Sequence, residues 1–580
     1  MRKILSLLSS PYLLALSFLL SLSLTFSFPL SASAQHSHLR KMLKTSPKAG
    51  TPMLVSSYLP PAVNPLIKDR WHQESDPYLR FTPLDTLGQK CVVGCVALAL
   101  GEVMRYHEWP TDAYDWKHML DEYREGEFTE EEGDAVGRLL ADCGKAVNMN
   151  YGAEASSAEI VSQPIALVDS FGYDIATQLH YRDFYRRYEW YNMMRYELAM
   201  GRPLLLCASS IELSHAFICD GYNDRGQFHI LWGNPSKEED GWYDFDKLTP
   251  DQPLWHDKNH YEGGLNILQS ICTGVQPPQQ DTQENFVFGF SHIEGFKDEG
   301  QDPNDRHLNV VTHNLANIGR NMHHGRVALG LKYRGDLVDI LKDYDHEFEL
   351  EEVTDTSYTD TLKVNVISPV KGLGEYHIVP VFEENGRWVE ARTSVGTPNY
   401  LCIDMTTDGY ELKDIVSPAQ CLKIIDLQFP DTLVYGKFPQ FTITIQNQGE
   451  DEYNGRIYFA LAEAMKDTYM RVFNIQGLYL SAGETTTRTF KQTPFSIGPS
   501  DYYLQIFTDI DLFTDSLVTL NADAVKKVKV VTTGIDDIID DTEEECVSST
   551  TYDLSGRIVH DMPLNNNAIV IKNRKKYLMK

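Results

Sequence analysis

The sequence predicts an α+β domain, then two all-β sandwich domains, then a small C-terminal β tail. Three observations carry that expectation. The 580 residues exceed what one hydrophobic core organises, about 250–300 residues, so several domains are required. Up to about Cys272 helical and strand-like patterns are mixed, with helices first; beyond it, short alternating strands take over at regular turn spacing. Between the two regimes Gly274 to Glu284 (GVQPPQQDTQE) has a linker composition.

In chain order, Arg2 and Lys3 precede the apolar run Ile4 to Leu30, and Ala32-Ser33-Ala34 supplies the small residues of a cleavage site before Gln35. Residues 1–34 therefore read as a signal peptide, although the run is also long enough for an uncleaved anchor. No cysteine follows the cut, which argues against a lipoprotein, and no second run of spanning length occurs. The mature chain is expected to be secreted or at the cell surface, without a membrane span. Residues 35–60 read as a leader or short pro-segment. Residues 61–273 form the α+β domain. A helix opens at Cys95, a second runs from Glu130 to Cys143, and a third lies near Glu189 to Met200. Strands then run over Pro203–Ser209, His215–Asp220, Gln227–Trp232 and Gly241–Phe245.

Asn317-Ile318-Gly319, followed by Gly325-Arg326, is echoed by Asn447-Gln448-Gly449, followed by Gly455-Arg456, with alternating apolar residues after each. This predicts two immunoglobulin-like sandwiches, 286–415 and 418–532. An acidic linker (GIDDIIDDTEEE) leads to the tail, 546–580.

The net charge of −30 argues against a nucleic-acid partner and for a soluble surface. Nine cysteines are few for a disulfide-stapled exported chain, their odd number leaves a thiol unpaired, and no spacing fits a zinc site. The stretch CVVGCVALALGEVMRYHEWP places Cys95 directly after the Gly94 turn, at the first turn of a helix apolar nearly all round. Unpaired backbone N–H groups and the positive end of the helix dipole lower a thiol pKa there. Taken alone, such a cysteine is more often a small core residue. Cys91 precedes the turn and reads as structural, and Trp109 and Trp242 read as core. His107 and the pair His323-His324 read as solvent-facing or space-filling. A thiol hydrolase also needs an imidazole, an oxyanion donor and a group that shields the imidazole. His215, Gln73 and Trp232 are the residues of those types in a consistent order.

These segments resemble the streptopain family of papain-like cysteine peptidases. The resemblance runs from about Leu66 to Leu248 through WHQESDPY, GQKCVVGCVALALGEVMRYHEWP, LLADCGKAVNMNYGAEASSA, FGYD, SHAFICDGYN, FHILWG and DGWYDFDKL. It implies a papain-like fold, with Cys95 as nucleophile, His215 as general acid and base, Gln73 as oxyanion donor and Trp232 as the cover of the imidazole. It also implies that Ser157 and Ser214 contact bound peptide, that no cofactor or metal is needed, and that protein or peptide substrates are the partners. A separate protein inhibitor is a further candidate partner. The chain departs from the family in three places. Asn234-Pro235 and the charged loop Ser236–Asp240 replace a glycine run after Trp232-Gly233. Ile230 stands where a papain-type asparagine would orient the imidazole, so Asn234 is taken as its substitute and as a substrate-side residue. Segment 35–60 is too short for the family's folded pro-domain, so latency is expected to arise elsewhere or be absent. The tail motif Tyr552-Asp553-Leu554-Ser555-Gly556-Arg557 and its lysine-rich end resemble the C-terminal sorting domain of Bacteroidetes surface proteins. The implied activity is that of an exported cysteine endopeptidase working through a thioester. The altered loop after Trp232 keeps open an inactive, adhesin-like binding protein, and a Cys–His pair is also compatible with transglutaminase-type acyl transfer.

Overall fold

The computed structural model describes residues 30–32 and 59–532 without 211–213, 235–238, 247, 249–264, 281, 303–304, 318–324, 346–357, 367–370, 395–396, 416, 436, 438, 464–469, 492–496, 510–516 and 522–524, together with the strand residues 551–552, 568–572 and 575–579. Most of the signal peptide, the leader, the acidic linker, the YDLSGR turn, His323-His324 and part of the loop after Trp232 thus lie outside the described residues.

The N-terminal part is an α+β domain. Helix α1 (Cys95–His107) begins at Gly94, whose φ of 87° is open to glycine at little cost, and ends where Glu108 turns left-handed at φ 46°. Helix α2 (Glu130–Ala146) starts on a reciprocal cap in which Thr129 accepts the Glu132 N–H and the Glu132 carboxylate accepts the Thr129 N–H. Strand β1 (Gln178–Tyr181), helix α3 (Arg187–Ala199) and strands β2 (Leu204–Ser209), β3 (Ser214–Tyr222), β4 (Phe228–Leu231), β5 (Gly241–Tyr243) and β6 (Ile267–Thr273) complete it. The sheet is six-stranded and antiparallel, in the order β1-β6-β2-β3-β4-β5. Alternation along β2 and β3 fills both faces. Leu205, Ala216 and Ile218 join α1 and α2 in one core, and Leu204, Leu206, Phe217 and Cys219 join α3 in the other.

Several expectations change. Strand β1 precedes α3, and β6 inserts between β1 and β2, so the strands are not a simple terminal meander. Within the linker, Gln276 and Gln279 are pinned: Asp174 donates its N–H to Gln276 and accepts the Gln279 N–H at 2.6 Å. Composition missed this because the anchor is a distant, buried aspartate. Trp242 is 39 % exposed, an edge-strand residue and not core, with its ring set against His229. Trp109 does pack on the core, and its indole N–H donates to Phe171. His107 is packed against Tyr173, and burial pushes its pKa down to about 4.

Beyond residue 285 the chain is built of β-rich sheets consistent with immunoglobulin-like modules. Strands β7 (His292–Phe296) and β8 (His307–Asn317) belong to a four-stranded sheet that shares a core with a six-stranded one. A three-stranded and another six-stranded sheet share a second core, and a three-stranded sheet closes the C-terminus. These sheets are packed onto the α+β domain around Arg182–Glu189. Asn454 donates to the carbonyls of Arg182 and Tyr185, each at 3.0 Å, and Arg392 lies over the Tyr185 ring.

Gly94 sets where α1 starts. A Cβ there would meet Met149 Cε at 2.7 Å on a positive-φ backbone. Gly94→Ala is expected to destabilise the protein by more than about 1 kcal/mol, read from the denaturant midpoint.

Candidate active site

Three elements bring the predicted residues together. The N-terminus of α1 supplies Cys95, which keeps part of its surface open to solvent. The start of strand β3 supplies His215, and the chain leaving β4 supplies Trp232. The Cys95 sulfur interacts electrostatically with His215 and accepts the Ala216 N–H at 3.5 Å. Burial pushes this thiol's pKa up. The interaction with His215, together with the Ala216 and Val96 N–H groups, outweighs it, so the net position is below the ordinary thiol value. The thiols of Cys91, Cys143, Cys207, Cys219, Cys272 and Cys402 move the other way, all driven up first by burial. Of these seven, only the cysteine singled out by its helix-start position is tuned towards thiolate.

The imidazole is oriented by a group the sequence reading missed. His215 Nε2 lies 2.8 Å from the backbone carbonyl of Trp232. A carbonyl only accepts, so Nε2 carries a proton, and Nδ1 is the nitrogen left for exchange with the sulfur. The Trp232 ring lies near-parallel to the imidazole, 6.4 Å between centroids and 21° between planes, and Phe217 wedges against the indole at 4.7 Å. Trp232 thus flanks the imidazole with its side chain and hydrogen-bonds it with its main chain. Its own N–H donates to Asp240 at 2.8 Å, and Asp240 faces Arg70 at 3.9 Å. Asp240, the last residue of the charged loop, therefore holds the Trp232 backbone. Ile230 is buried in β4, and Asn234 is half-buried beyond Gly233. The Trp232 carbonyl supplies an orienting hydrogen bond to the imidazole, and its signal in sequence is only the Trp-Gly step. Gly233 suits that step because its φ is 66°, in the region L side chains rarely adopt.

Gln73 is buried, and its carbonyl accepts the Val93 N–H at 3.1 Å, two residues before the nucleophile position. Its neighbour Trp71 is tied to α1 through Glu102, which accepts the Trp71 N–H at 3.3 Å. Glu102 and Asp69 are carboxyls under this segment. Burial, then their mutual repulsion, pushes Glu102 well above the carboxylate range, and burial pushes Asp69 up to about 7. Ser157 is exposed on the loop 150–158, with its backbone bridged to Asn150. Ser156, which the sequence reading passed over, holds that loop by donating to the Val92 carbonyl at 2.7 Å. Ser214 is exposed, and its hydroxyl pairs with Ser209 at 2.7 Å.

Residues 71–113 and 111–243 match the model of the Peptidase C10 family. The chain is 28% identical over 255 residues to the thiol protease/hemagglutinin PrtT of Porphyromonas gingivalis, a match covering 38% of this chain and 29% of that protein. It is 26% identical over 244 residues to streptopain of Streptococcus pyogenes, covering 36% of this chain and 60% of that one. Among solved structures, active interpain A cysteine protease of Prevotella intermedia aligns with 27% identity and a TM-score of 0.33, over 40% of this chain and all of that one. The chain thus spans less than two thirds of the curated relatives it matches. Its α+β domain is homologous to known cysteine endopeptidases. No described helix is long and apolar enough to cross a membrane.

Proposed function

We propose that the chain is an exported cysteine endopeptidase in which Cys95 and His215 act as a thiolate–imidazolium pair. The observation that carries this reading is the selective lowering of the Cys95 thiol beside an imidazole whose other nitrogen is already committed to a carbonyl. In this reading the thiolate attacks a peptide carbonyl, and the oxyanion is received by the Cys95 backbone N–H and the Gln73 side-chain amide. His215 then passes its Nδ1 proton to the leaving amine. Water, deprotonated by the same nitrogen, hydrolyses the thioester. Trp232 keeps bulk water from the imidazole, and Ser157, Ser214 and Asn234 border the bound peptide.

The proposed organisation is a signal peptide over 1–34, a short pro-segment over 35–60 and the peptidase domain over 61–273. Two immunoglobulin-like domains follow over 286–415 and 418–532, with a sorting tail over 546–580. A protein inhibitor that fills the same cleft would be its regulatory partner.

The test is alkylation by a thiol-directed epoxide across pH, with peptide mapping. Cys95 is expected to be labelled at mildly acidic pH, where ordinary thiols are protonated, and hydrolysis of unfolded protein should fall in step with labelling. Equal labelling of Cys95 and Cys421, without loss of hydrolysis, would overturn the assignment.

A further inference from the structure

We infer that His292, Glu294 and His313, on the outer face of the first β-rich module, form a binding site for one late first-row divalent cation such as zinc. Strands β7 and β8 pair antiparallel with His292 directly opposite His313, and Glu294 lies two residues along β7. The period of a strand puts all three side chains on one face. Their ligand atoms lie within 4.8 Å of one another. The imidazoles stack at 4.0 Å and 10°, and His313 Nε2 is 3.0 Å from Glu294 Oε1.

The support behind the ligands is built. Ser291 is buried, and its hydroxyl donates to the His313 carbonyl at 3.1 Å. The same oxygen accepts an Asn314 amide proton at 3.2 Å and lies 3.1 Å from His292 Nδ1. Its single proton is used on the carbonyl, so the His292 contact is Nδ1–H donating to Oγ. That tautomer places the lone pair on Nε2. Asn314 reaches Ser291 because its backbone is left-handed, φ 57°, at the register shift of β8 between Thr312 and Leu315.

Two imidazoles and a carboxylate are the donor set of a three-ligand zinc site with a fourth position for water. On binding, the proton that His313 Nε2 shares with Glu294 moves to Nδ1 of the same ring or to solvent, and the carboxylate becomes a ligand. Two other described clusters fit less well. At Glu375, His377 and Cys402 the Lys413 ammonium already sits 3.4 Å from Glu375, and at Asp115, His118 and Glu131 there is one imidazole, paired with Asp115 at 2.7 Å.

The test uses the full, tag-free chain carrying Cys95→Ala, stripped with chelator and dialysed against Zn2+. Bound zinc per chain and the thermal midpoint are the readouts. One equivalent is expected to be lost in Glu294→Gln and in His313→Ala, along with the zinc-dependent rise in midpoint, and to be retained in His118→Ala and His377→Ala. Ser291→Ala should weaken binding by about 10-fold or more. Glu294→Gln alters one exposed side chain, so it decides the matter should His313→Ala fail to fold. Unchanged zinc in Glu294→Gln, or no zinc bound by the parent chain, overturns the site.

Discussion

Cys95→Ala is expected to lower hydrolysis of an unfolded protein substrate by roughly 10⁶-fold, the scale seen when a covalent nucleophile is removed from a matched pair. Cys95 lends no side-chain cap to α1 and stays partly exposed, so the variant should keep the thermal midpoint of the parent. His215→Ala should cost a similar factor, since without the imidazole only the Ala216 and Val96 N–H groups oppose burial, which drives the sulfur towards the neutral thiol. The double variant should be no worse than either single one, because the two groups act as a unit. Initial rates on a quenched peptide pool measure all three. Full hydrolysis by Cys95→Ala would place the chemistry elsewhere.

What was legible in the sequence was what local pattern encodes. The glycine turn, the apolar stretch and the cysteine between them mark the start of α1, and the structure puts the helix there. The order of Gln73, Cys95, His215 and Trp232 could be read from residue type, and Cys95, His215 and Trp232 do meet. What could not be read is what backbone groups and distant carboxylates do. The carbonyl of Trp232 has no letter of its own, so its hydrogen bond to the imidazole could not be read from residue type. Asp240 looked like part of a solvated loop, yet it accepts the Trp232 N–H and so helps to hold that carbonyl in place. Glu102 sits in the charged position that should have marked the wet side of α1, and it is buried under Trp71. Burial pushes the Glu102 carboxyl well above the usual carboxylate range, the cost of placing it on a helix face packed in the core. The attachment of Gln276 and Gln279 was hidden for the same reason: a proline- and glutamine-rich composition says nothing about an aspartate about a hundred residues upstream.

Asp246→Asn is expected to destabilise the protein by about 3–5 kcal/mol, the cost of leaving a buried cation without its counter-charge. Arg182 has a side chain 1 % exposed, and it donates to Asp246 and, at 2.6 Å, to Gln269 Oε1. Its guanidinium also lies 3.7 Å from the ring centre of Tyr479, which belongs to the second β-rich module. Asp246 binds Arg187 as well, at 3.1 Å, and Arg187 reaches on to Glu484 at 3.2 Å and to the Tyr479 carbonyl at 2.7 Å. The charge that fails in the variant is therefore shared between the α+β domain and the sheets behind it. The parent should unfold in one transition, and the variant should separate into two. Asp246→Asn combined with Arg182→Met should recover much of the loss, because removing both charges leaves no orphan. The pH dependence gives an independent reading. Burial raises the Asp246 pKa, but Arg182 and then Arg187 pull it below its ordinary value. A depressed carboxyl stabilises the fold above its unfolded-state pKa and loses that contribution as pH falls through the folded one. The parent should lose stability on the acid side more steeply than Asp246→Asn. Chemical denaturation across the acid range measures this difference, and parallel curves would mean that Asp246 does not hold the two bodies together.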